Sequence, residues 1–235
     1  FFAIGLIRNL LSLVFLVASV ILFSSSMTTA IGSFFTDLDL DIYHSAPRSK
    51  LRIALTRWLK TLVQSATIVF IFLIPLFIAY AQRYPKPWTF FPIVLLNLAL
   101  LLSIPVSLSS TLILLLVRWF PVRRVHQIVA TLAVLVLTVI VVAFRVSRPE
   151  RFFTEVSTHD VARVLRSIEV PAMSIYPSTS LAGLVTGAAI PWLAPRIVWT
   201  ALALLGVFML VARRWYFPAF VRGRESMAPV AIGSV

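Results

Sequence analysis

Asp37, Asp39 and Asp41 alternate inside a short acidic-then-basic island, Thr36–Arg48, set between two long apolar runs. Alternate carboxylates line one face of an extended strand and could ligate a metal there, although no further ligand lies nearby in the sequence. On a helix the spacing does something else. Thr36 and Asp39 fit the [ST]-x-x-[DE] capping pattern, and acids in a first turn complement the helix dipole. Asp37 and Asp41 then share a face while Asp39 turns away, Leu38, Leu40 and Ile42 supply apolar contacts, and Pro47 ends the element. The island therefore predicts a short helix lying on a membrane surface, joined by an elbow to a basic helix start. A well-capped surface loop with no partner is the alternative.

Other chemistry is absent from the sequence. A phosphate-binding loop needs G-x-x-x-x-G-K-[ST], and the seven glycines never make that spacing. No serine lies in a G-x-S-x-G turn. His44, His126 and His159 are far apart, so no pair has metal-ligand spacing on one helix. All eight acidic residues fall outside the cores of the apolar runs, which argues against a proton- or sodium-coupled carrier. Asn97 and Gln64 are the most polar side chains within those cores, and such residues serve as interhelical glue more often than as ligands. With no cysteine there is neither a disulfide nor a thiolate site.

The elements that must position the island are membrane helices. The chain is 60% hydrophobic and 12% charged, with a mean hydropathy of +0.99, and uncharged runs recur at the roughly 20 residues that cross a bilayer core. The fold class is an all-α polytopic membrane protein with a single transmembrane domain over 1–235. Five spans are predicted, at about 10–29, 61–81, 90–117, 126–144 and 197–212. The segment 33–60 faces one side and 145–195 the other. Pro75 and Pro105 predict kinks, and Arg213-Arg214-Trp215-Tyr216 is expected to stop the last span. Between the fourth and fifth spans, Val161, Val164, Leu165 and Ile168 repeat at amphipathic spacing, which predicts a surface helix. Ser178–Pro195 is apolar but too short to span, and reads as re-entrant or interfacial. Phe1–Ile7 is already apolar without a signal-peptide pattern, so at least one further element is expected upstream.

The net charge of +13 comes from Lys and Arg at the ends of apolar runs. Such residues snorkel to anionic headgroups, so membrane lipids rather than nucleic acid are the expected partner. If the island is cytoplasmic, the inside segments hold twelve of the 21 basic residues. That orientation satisfies the positive-inside rule.

Phe35-Thr36-Asp37-Leu38-Asp39-Leu40, with Pro47-Arg48 one short helix later, resembles the cytoplasmic segment of type-2 ABC exporter permeases. It is most similar to a branch of large ABC transporter permeases with F-x-x-D-L-[ED]-x-L followed by x-x-x-P-[IV]-S-R. Arg148-Pro149-Glu150-Arg151, Tyr176-Pro177-Ser178-Thr179 with Leu181-Ala182, and Ala212–Tyr216 with Arg222-Gly223-Arg224-Glu225 match in the same order. Ser180 stands where that branch tends to carry Trp, and Asp41 and His44 where it has Leu or Ser.

The resemblance implies a six-helix exporter unit, of which five spans appear here, in the bacterial cytoplasmic (inner) membrane; the family's chains are longer, so this one would be roughly an N-terminal half lacking its first helix or helices. Asp37, Leu38, Asp39, Leu40, Asp41, Ile42, Pro47 and Arg48 would form a coupling helix docked on a separate ABC ATPase subunit. Lys50, Arg52, Arg57 and Lys60 would make the membrane-interface elbow, and Tyr176, Pro177, Gly183 and Gly187 a gate. The expected function is that of a permease subunit forming the translocation path. No catalysis, metal or cofactor is expected in the chain itself, with ATP and Mg on the ATPase. A second permease copy or a C-terminal half would complete the assembly. A membrane scaffold or assembly subunit, or a membrane enzyme, is the alternative.

Overall fold

The computed structural model describes residues 2–37, 49–83, 88–147, 177–187 and 194–227, and among these every regular element is helical. Helix α1, Phe2–Ile31, winds into a π-helical turn over Gly32–Thr36. Helices α2 (Lys50–Arg83), α3 (Phe90–Trp119) and α4 (Val122–Ser147) follow. A short α5, Ser178–Thr186, precedes α6, Pro195–Met227.

Among the described residues four helices are long and apolar enough to cross a membrane, over Ile7–Thr36, Lys50–Tyr80, Phe90–Trp119 and Pro195–Val221. The expected fifth span is present as α4, but its apolar stretch among the described residues is the shorter Arg124–Val139. Among the described residues four of the five expected spans therefore have spanning length. The last span also runs on. Arg213 and Arg214 do not stop α6, which continues through Pro218 to Met227, because Tyr216, Ala219 and Phe220 bury their side chains on the bundle. Likewise α2 begins at Lys50, well before the apolar run at Thr61, and passes through Pro75 without a break.

The bundle is built around α3. Of its spanning window 72% is buried, against 33%, 28% and 22% for α1, α2 and α6. Helices α6 and α1 pack on it most extensively, and α2 closes the remaining side. Burial along α2 falls on Ile53, Ala54, Arg57, Trp58, Thr61, Ser65, Ala66, Val69, Leu73 and Phe77. That is one stripe at helical spacing. The opposite faces carry exposed Leu, Ile, Val and Phe, as surfaces solvated by lipid do.

Hydroxyls knit the interior. Ser12, Ser19 and Ser26 on α1 and Ser33 in its π-helical turn repeat every seven residues, and all four are buried. Ser12 Oγ meets Ser178 Oγ of α5 at 3.1 Å, Ser26 Oγ donates to Ser109 Oγ of α3 at 2.7 Å, and Ser33 Oγ donates to the Arg57 carbonyl of α2 at 3.1 Å. Ser26 Oγ also lies 3.0 Å from the Phe23 carbonyl of its own helix, and Ser19 turns wholly back to its own helix, donating to the Phe15 carbonyl at 2.8 Å. Small hydroxyl residues let helix backbones approach and bond across the gap, which replaces the hydrophobic drive that lipid cannot supply.

Candidate functional site

The functional candidate is the end of the bundle where α1 stops and α2 starts. Gly32–Thr36 closes wider than an α-helix, and its last residue spends its hydroxyl locally: Thr36 Oγ1 donates to the Gly32 carbonyl at 3.0 Å. The Asp37 N–H donates to the same carbonyl at 3.1 Å, and Asp37 leaves in an extended conformation. The turn buries Ser33, Phe34 and Phe35 and aims Asp37 at α2.

Asp37 Oδ2 accepts from Arg57 at 2.8 Å and from Lys60 Nζ at 2.5 Å. Arg57 is the buried member, its side chain 4% exposed, whereas Asp37 and Lys60 keep 27% and 37%. A guanidinium taken out of water is costly unless paired, so Asp37 makes this position tolerable. The carbonyl of Arg57 also accepts from Ser33 Oγ and from Thr61 Oγ1, the latter at 2.9 Å.

An aromatic layer lies beneath the clasp. Phe34 meets Phe208 and Tyr216 of α6 edge-on, with ring centroids 6.2 and 6.1 Å apart, a geometry favoured by the ring quadrupoles. Trp58 packs on Phe208 and donates its Nε1–H to Ser107 Oγ of α3 at 3.1 Å. Around the rim, Lys50 Nζ sits 4.0 Å over the Phe217 ring and Arg118 Cζ 4.6 Å over Trp215. These cation–π contacts bring the ends of α2, α3 and α6 to one level. The arrangement is a clasp that fixes the chain's path out of α1.

The described side chains at this end include Lys50, Arg52, Arg57, Lys60, Arg118, Arg124, Arg213 and Arg214. Asp37 is the only acid among them. The opposite end carries Arg8, Arg145 and Arg196, with the exposed Trp88 and Trp199.

Of the expected docking residues only Asp37 is placed; Leu38, Asp39, Leu40, Asp41, Ile42, Pro47 and Arg48 lie outside the described residues. So do Tyr176 and the amphipathic repeat from Val161 to Ile168. The elbow set divides. Lys50 and Arg52 are exposed and Lys60 is half-buried, but Arg57 points into the bundle. Sequence reasoning missed that inward turn, although Arg57 shares its helical stripe with Ile53, Ala54 and Thr61. The seven-residue serine spacing was a second legible signal.

Of the gate set, Pro177 is buried at the start of α5 and Gly183 is buried within it. Gly187 ends α5 at φ 77°, its N–H donating to the carbonyls of Gly183 and Leu184. A Cβ is strained in that left-handed conformation, and Gly caps helices there for that reason. Asn97 is buried glue. Its Nδ2 donates to the Ile93 carbonyl at 2.9 Å, and its Oδ1 accepts the Ala194 N–H at 3.1 Å, tying α3 to the start of α6. Gln64 is exposed. Among the described residues no group of three or more His, Cys, Asp or Glu could hold a metal.

A family model described as putative ATP-binding cassette matches residues 1–232. No curated protein and no solved structure matches. The match supports an ABC transporter context and corrects the functional expectation. The family is described by its ATP-binding cassette, which points to the nucleotide-binding side of such a system rather than to a permease. The assignment of a permease subunit forming a translocation path does not stand.

Proposed function

This chain belongs to the putative ATP-binding cassette family, and from that premise we propose that it anchors and seats an ATP-binding cassette at a membrane. The observation that carries the reading is the match over 1–232 on a chain whose described residues include four helices able to cross a bilayer. With no phosphate-binding loop in these 235 residues, nucleotide and Mg bind on a cassette outside them, whether on the same polypeptide or on a separate subunit. No catalytic step and no translocation path are assigned to these residues.

In this proposal the basic end of the bundle faces the cytoplasm of a bacterial cell, as the positive-inside rule favours, and the cassette sits against it. The segment entered at Asp37 makes the contact. Leu38, Leu40 and Ile42 supply apolar surface, and Asp39 and Asp41 pair with basic groups of the cassette. Asp37 is spent on Arg57 and Lys60, so it positions the segment instead of binding.

The test is co-purification of the full chain from membranes with a P-loop ATPase and photolabelling by an azido-ATP. The expected result is an ATPase retained by the native chain and lost with Asp39→Lys plus Leu40→Glu, the label falling on the ATPase. Label on peptides of residues 1–235, or an ATPase retained equally by the double variant, overturns the reading.

A further inference from the structure

A groove of about 300 Å³ runs between α1 and α3, lined by Leu16, Ser19, Val20, Phe23, Ile104, Pro105 and Leu108. It forms where the seven-residue serine register fails to reach α3. Ser26 bonds Ser109 across the interface one repeat further on, while Ser19 bonds its own helix. Pro105 stands opposite, and its ring and missing N–H disturb the α3 ladder at that level. With the Ser19 hydroxyl occupied by the Phe15 carbonyl, the lining offers a ligand only hydrocarbon.

The depth of the groove identifies its occupant. Leu108, Leu112, Leu115 and Trp119 follow one stripe of α3, from a partly exposed groove wall to an indole 77% exposed. Eleven residues of helix span roughly 16 Å, close to the roughly 15 Å half-thickness of a bilayer core. With Trp119 at the headgroup level, where interfacial indoles sit, the groove lies near the midplane. Arg118 and Arg124 flank Trp119 and are both exposed, at the end of the bundle that also carries Lys50, Arg52, Arg213 and Arg214.

We propose that this groove and the α3–α4 turn form one site for an anionic phospholipid. Its headgroup phosphate lies against Arg118 and Arg124, and one acyl chain runs down the Trp119–Leu108 stripe into the groove beside Pro105.

Native mass spectrometry of the delipidated full chain, titrated with phosphatidylglycerol or with phosphatidylcholine of the same chains, tests the site. The native chain is expected to retain one phosphatidylglycerol in preference to phosphatidylcholine. Arg118→Gln with Arg124→Gln should weaken phosphatidylglycerol by about fivefold per cation removed and leave phosphatidylcholine unchanged. Val20→Trp should fill the groove and weaken both lipids, and Leu108→Phe, a milder filling, keeps the test valid if Val20→Trp fails to fold by circular dichroism. Three results overturn the proposal: equal retention of the two lipids by the native chain, unchanged retention after the groove is filled, or disulfide-linked dimers of Leu108→Cys, which would put a second copy there.

Discussion

Arg57 and Asp37, twenty residues apart in sequence, meet through a 2.8 Å charge-assisted hydrogen bond at the point where the chain leaves α1. The guanidinium is buried and the carboxylate is not, so the two partners are unequal. Removing Asp37 strands a charge inside the bundle, whereas removing Arg57 returns a carboxylate to water and to Lys60. Asp37→Asn should therefore destabilise the protein more than Arg57→Met, by about 2 kcal/mol in the former case. In a double-mutant cycle followed by unfolding in mixed micelles, the combined variant should lose less than the sum of the two. Strict additivity would show that the clasp carries no coupling energy.

Asn97 joins α3 to the start of α6 through the Ala194 N–H. Asn97→Leu keeps the size and deletes the acceptor, leaving a buried donor at a cost of about 1–3 kcal/mol. Tryptic cleavage after the exposed Arg196, in the first turn of α6, should quicken in this variant. An unchanged cleavage rate would mean that the α6 start is held by other contacts.

Trp58 reports on the aromatic layer. Ser107→Ala removes the acceptor of its indole N–H and should cost about 1 kcal/mol, with a shift in tryptophan emission. Trp58→Ala opens a cavity against Phe208 and should cost about 3–5 kcal/mol. If the two variants cost the same, the hydrogen bond rather than the packing holds the layer.

The chain has no cysteine, so single cysteines report its sidedness directly. Ser49→Cys, just before α2, should be shielded from an impermeant maleimide in intact cells, and Thr89→Cys, just before α3, should react. The reverse pattern would place the basic face outside.

Gly187→Ala meets the left-handed φ of 77° at the end of α5 and should cost about 1 kcal/mol. Gly183→Ala tests packing instead. A larger loss for Gly183→Ala would mean that α5 is fixed by its buried face and not by its cap.

The helices were readable because uncharged runs of spanning length have few other solutions in lipid. Their ends were less so. Arg213 and Arg214 carry the charge pattern of a stop, yet Tyr216 and Phe220 draw α6 onward by packing on Phe34 and its neighbours, and charge counting does not register an aromatic contact between distant segments. Arg57 misled for a related reason. A basic residue near a helix start reads as a headgroup anchor until its stripe is compared with Ile53 and Thr61. For Asp37 the partner is tertiary, since nothing local in Thr36–Arg48 reveals that the first carboxylate is already engaged by α2.

The seven-residue spacing of the α1 serines carries a mechanical consequence. Seven residues fall about 20° short of two full turns, so the row of hydroxyls drifts around the helix as it descends and reaches α5, α3 and α2 in succession. A rotation of α1 about its own axis would strain all three contacts at once. A tilt pivoting near Ser19, where the row makes no outside bond, would displace Ser12 and Ser26 equally and less than Ser33. Helix α1 is keyed like a shaft in its lock: a turn loads every contact together, a lean loads them unequally.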